Sequence, residues 1–159
     1  MTQVTVKSIE KAVEKIDKLD DDGLERLSET YVLKQEKLVG YIMSAAIEYD
    51  NDMLLDLLIY YFNIFSEALT IQGIEIEKIT EDSIDAFQEE YVSMLDEYME
   101  TEEHELIDGF CNQPNMLSFL LSELEMEDET GQKLDDDTST YLFIVGIAMI
   151  GLINKSIVK

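Results

Sequence analysis

The chain carries one histidine, one cysteine and 36 Asp or Glu among its 159 residues, so the chemistry to test is mostly carboxylate chemistry. Carboxylates on helices raise a di-iron centre first. That centre draws Glu-x-x-His pairs and further Glu ligands from separate helices, but the residue three before His104 is Thr101, and the motif does not occur. A structural zinc site takes four Cys or His ligands, and His104 and Cys111 are the whole supply. On one helix their seven-residue separation is ~10.5 Å, beyond nucleophile–base contact. Both read as ordinary helix residues.

Calcium comes closer. With Gly23 at the sixth position of an EF-hand loop, Asp20, Asp22 and Glu29 fall at the third, fifth and twelfth. The first position is then Lys18, a cation where an acidic ligand belongs, and the eighth is Glu25 rather than an apolar residue. Asp20–Asp22 reads instead as the acidic start of a helix, where the dipole favours negative charge. Weak divalent-metal binding by scattered carboxylates is the remaining metal alternative. GxGxxG, GxxxxGK[ST] and GxSxG do not occur. An uncharacterised enzyme stays an alternative without a motif behind it, and no catalytic, cofactor-binding or metal residue is assigned.

The carboxylates matter more as a field. The formal net charge is −25, and residues 80–159 hold −17 of it. All 20 acids of that half fall in the segment 81–137, with Lys133 as the one basic residue among them. Phosphate affinity comes from Lys and Arg releasing counterions, so nucleic acid is disfavoured, as are anionic membrane surfaces. Such a field attracts basic proteins and speeds their encounter; the plain alternative is that it keeps the protein soluble. Asp85, Glu89, Asp96, Glu100 and Glu103 form the stripe expected to face a basic partner.

The elements that must carry this stripe are helical. Val6, Ile9, Val13 and Ile16 step by three and four. Leu24, Leu27, Tyr31, Leu38, Ile42, Ala45 and Tyr49 predict a second helix running on to Asp50, with Gly40 inside it as a kink or a close packing contact. Asn51 or Asp52 caps a dense apolar helix, Met53–Ile71, closed by Gly73. Ile74–Glu77 alternates with period two, but four residues without a partner make a linker. Thr80 caps a helix whose inner stripe is Ile84, Phe87, Tyr91, Met94 and Tyr98. A shorter helix covers Glu102–Cys111, and Pro114 begins another holding Leu117, Leu120, Leu121 and Leu124. Glu125–Asp137 is an acidic connection around Gly131. Met53, Met94, Met99, Met116 and Met126 read as core filling rather than an adaptable groove.

Thr138–Asn154 carries no charge, and Tyr141–Ile153 is almost wholly apolar. A 17-residue uncharged stretch sits at the low edge of membrane-spanning length, but its oily part is only about 13 residues, a core-helix length. The expected fold is therefore all-α: a single-domain bundle of six or seven helices over residues 1–159, with the C-terminal helix 138–158 buried. A single Cys cannot form an internal disulfide and suits the reducing cytoplasm. The N-terminus has no apolar run behind a basic start and is not read as a secretory signal. The expected function is non-enzymatic: a strongly acidic cytoplasmic protein that binds a basic protein, in the manner of an inhibitor, immunity protein or secretion chaperone. The alternatives are a homo-oligomer whose last helices meet at Gly146 and Gly151, and a tail-anchored membrane protein.

Overall fold

The computed structural model describes residues 3–126, 131 and 134–158. Glu127–Thr130 and Lys133 of the acidic connection, and Lys159, lie outside the described residues. The fold is all-α. Among the described residues there are eight helices rather than six or seven: α1 Val6–Asp17, α2 Asp21–Lys34, α3 Glu36–Glu48, α4 Asp52–Gln72, α5 Glu81–Thr101, α6 His104–Cys111, α7 Pro114–Glu125 and α8 Asp136–Lys155.

Most starts follow from local chemistry. Side-chain oxygens of Thr5, Asp20, Asn51, Thr80 and Asp135 each accept from the backbone N–H three residues on, satisfying a donor the helix leaves free. Asp20 is thus bonded to Gly23 N at 2.7 Å and starts α2, and Asp22 and Glu29 sit on that helix rather than in a loop. Pro114 stands in the first turn of α7, where its missing N–H costs nothing. Gly73 ends α4 with φ +75°, a left-handed conformation open to glycine without strain.

The extra helix arises at Gln35. The predicted second helix breaks there, at φ −136° and ψ 51°. The buried Gln35 side chain donates to Glu77 O at 3.1 Å and accepts from Ile79 N at 2.9 Å, so one residue serves both polar groups of a passing connection. Gly40 makes no close contact: it is exposed within α3, and a Cβ there would meet nothing within 4 Å. The Ile74–Glu77 segment also finds a partner that the sequence reading denied it. Ile76 forms an isolated antiparallel bridge with Ile157, flanked by Glu77 N to Ser156 O at 2.7 Å and Val158 N to Glu75 O at 2.9 Å.

At the centre, α4 and α8 pack against each other. On α8 every residue from Val145 to Ile153 is buried, and the helix touches α3, α4, α5, α6 and α7. Its glycines are spacers within the chain. A Cβ on Gly146 would lie 2.6 Å from Leu120 Cδ2, and one on Gly151 would lie 2.9 Å from Phe87 Cε2. The close approach expected between copies at these two residues is made instead to α7, α5 and α6 of the same chain. By length and composition α4 and α8 are both apolar enough to cross a membrane; here 56% and 61% of their most apolar stretches are buried inside the protein.

Candidate functional site

The acidic stripe is positioned by α5. Thr80 and Ser83 form a reciprocal capping box, and Glu81 and Asp82 occupy the first turn, where the helix dipole favours them. The inner face buries Phe87, Tyr91 and Met94. Phe87 stacks on Tyr91 with centroids 5.3 Å apart, Phe110 of α6 lies against both rings, and the Tyr91 hydroxyl donates to Ile144 O on α8. This anchoring fixes which side of α5 faces water.

On that outer side Asp85, Glu89, Asp96 and Glu100 are all exposed. At 3.6 residues per turn they share an arc of about 100° with Val92 and Met99, which are 45% and 68% exposed. The structure thus adds two apolar residues to the predicted face. Glu103 is exposed too but leaves the register. Glu102 takes a left-handed conformation, φ 57°, that ends α5, and Glu103 becomes the first flanking residue of α6 without a side-chain capping bond. Of the α5 acids, Glu81 pairs with Lys37 at 3.1 Å and Glu90 pairs with Lys155. Among the described residues, Asp85, Glu89, Asp96, Glu100 and Glu103 form no ion pair. Four aligned and unneutralised carboxylates beside two exposed apolar side chains can receive a surface that is both basic and partly apolar.

Other reactive types serve the fold. Cys111 is fully buried with its thiol 3.6 Å from Ile147 O. Burial, with a smaller contribution from Asp108, pushes the thiol up to about 12, the opposite of nucleophile activation. His104 is exposed at the other end of α6, against the Tyr98 ring. Among the described residues no group of three or more His, Cys, Asp or Glu is placed to hold a metal ion. The methionines expected to fill the core separate: Met94 and Met116 are buried, while Met53, Met99 and Met126 are exposed.

Sequence reasoning missed the buried polar residues. Glu67 is 3% exposed, pairs with Lys15 at 2.6 Å and accepts from the Tyr31 hydroxyl, which also reaches Thr70 Oγ1 at 3.1 Å. Gln113 accepts from Val4 N at 2.9 Å and donates to Asn154 Oδ1 at 3.0 Å, tying the N-terminal segment to α8. The available signal was polarity inside an apolar run: Asn63, Ser66 and Glu67 interrupt the densest apolar helix of the first half.

No family model matches the chain, and neither a curated protein nor a solved structure shows significant similarity to it.

Proposed function

We propose that this chain is a non-enzymatic, cytoplasmic interaction protein, a single-domain helical bundle around α8 that binds a basic protein partner through the outer face of α5. The observation that carries this reading is the set Asp85, Glu89, Asp96 and Glu100, exposed and, among the described residues, without ion pairs, interleaved with exposed Val92 and Met99. Carboxylates left unneutralised steer a cationic partner from a distance. The two apolar side chains give it area to bury once it has docked, an arrangement a purely solubilising face does not need. An inhibitor, an immunity protein or a secretion chaperone works in this way, holding a cationic protein until it is released.

The test is affinity capture from native extract at low salt, followed by association kinetics with the retained basic protein. Reversing Asp85, Glu89 and Asp96 to Lys is expected to slow association by about ten-fold or more and to flatten its salt dependence. Unchanged kinetics, or no basic protein held by the unaltered chain, removes the reading.

A further inference from the structure

We propose that the groove where α2 and α4 end binds an extended peptide with an acidic side chain, added as a strand to the open edge of segment 74–78. That segment is paired on one side only. In the bridge between Ile76 and Ile157 the bonds are made by flanking residues, Glu77 N to Ser156 O and Val158 N to Glu75 O. In an antiparallel pair of this kind the N–H and C=O of the bridged residue point to the opposite side. Those of Ile76 form no hydrogen bond among the described residues.

The groove lies on that open side: Ile74, Ile76 and Lys78 line it, and none of residues 156–158 does. It holds about 620 Å³, within the range of ligand sites. Leu33, 60% exposed, gives it an apolar wall. Ser66 of α4 also lines it, 9% exposed, and its hydroxyl forms no hydrogen bond among the described residues. That hydroxyl is open to the groove rather than sealed beneath it. Among the described residues the one sealed side-chain polar atom without a partner is Asn63 Oδ1.

Charge and the form of the free groups select the occupant. The chain has 36 acids against 11 Lys or Arg, yet this groove is lined by Lys34 and Lys78 against one acid, Glu75. Neither lysine forms an ion pair among the described residues. Lys34 Nζ is held 5.8 Å from the centroid of the Tyr31 ring, itself part of the groove. A carboxylate is the group that answers two such ammonium ions. Ile76 offers a donor and an acceptor together, which an amide backbone satisfies and a fatty carboxylate, having no donor, does not. An extended peptide meets every feature: its backbone pairs with Ile76, its acidic side chain with the lysines, and an apolar side chain covers Leu33. None of these residues lies on the α5 face, so this site stands or falls separately from the basic-protein reading.

The experiment is selection on the full chain from a displayed library of random nonapeptides, discarding those that also bind the Lys34→Gln and Lys78→Gln double variant. Survivors are expected to carry Asp or Glu among β-branched or aromatic residues. Fluorescence polarisation of the tightest survivor then reads four responses. The lysine pair is expected to weaken binding about ten-fold or more. The charge-matched pair Lys7→Gln and Lys11→Gln, at exposed positions of α1 outside the groove, is expected to leave it within about two-fold. Ser66→Ala is expected to weaken it about three-fold while melting no lower than the unaltered chain, since the lost hydroxyl had no partner. N-methylation walked along the peptide is expected to block binding at alternate residues only, because every second N–H faces the edge. No survivors, survivors without an acid, equal weakening by the two lysine pairs, full affinity in Ser66→Ala, or N-methylation without alternation overturns the proposal.

Discussion

Two helices of almost equal length, 21 residues in α4 and 20 in α8, cross the centre of the molecule and are held there in different ways. From Val145 to Ile153 α8 is apolar or glycine throughout, and what fixes it is shape: Leu120 fills the space over Gly146, and Phe87 and Phe110 fill the space over Gly151. Along α4 the buried residues include Asn63, Ser66 and Glu67 among Leu, Ile and Phe, and the Glu67 carboxylate joins α1 to α2 through Lys15 and Tyr31. Buried apolar surface can hold a helix in place without naming its neighbours. Buried polar groups name theirs, and each such bond is costly to leave unmade. The candidate interface accordingly lies on the outer face of α5, not on α8.

The largest effect expected is on the shape-held helix. Ile150→Ala removes a fully buried side chain and should cost about 2–5 kcal/mol in urea unfolding; a loss below ~1 kcal/mol would deny α8 its central place.

On α4, Glu67→Gln should cost about 1–2 kcal/mol, modest because the Lys15 side chain is 54% exposed and its attraction is screened. The same variant has a pH signature. Burial, then the bond to Glu67, pushes the Tyr31 hydroxyl from 10.0 up to about 12. The folded state therefore holds this proton more tightly than the unfolded one. The stabilisation it brings is intact below pH 10 and is lost as pH rises from there towards about 12. Glu67→Gln should draw tyrosinate absorbance and alkaline unfolding to lower pH; an unmoved profile would show that the Glu67 carboxylate does not hold the Tyr31 proton.

The smallest effect separates two kinds of glycine. Gly40→Ala, exposed within α3 and with open space at its Cβ, should stabilise by about 0.5–1 kcal/mol. Gly146→Ala should instead destabilise, since both Leu120 δ carbons stand within 3.2 Å of the added atom. Thermal melts that moved the same way for both would erase the distinction between a spacer and a merely tolerated glycine.

Legibility followed the range of the interaction. The all-α class, the burial of α8 and the starts at Asn51, Thr80 and Pro114 depend on apolar period and on bonds three residues long, so they can be read along the chain. The break at Gln35 depends on groups 42 and 44 residues away, and the partner of Ile76 is the distant Ile157; neither leaves a local trace. The same rule divides the candidate sites. The exposure of Asp85, Glu89, Asp96 and Glu100 follows from helical period, whereas Glu103 fell out of register because Glu102 turns left-handed. The burial of Asn63, Ser66 and Glu67 follows only once other helices cover α4.

The position of α8 has a consequence for how the molecule breathes. Five helices rest on it, whereas α1 and α2 rest chiefly on α4, so loss of α8 would uncover a face on each of those five. Backbone amides at the centre of α8 are therefore the ones expected to exchange last with solvent deuterium. Those between Val145 and Ile153 wait for complete unfolding, and their exchange rates report the global stability of the whole assembly of helices.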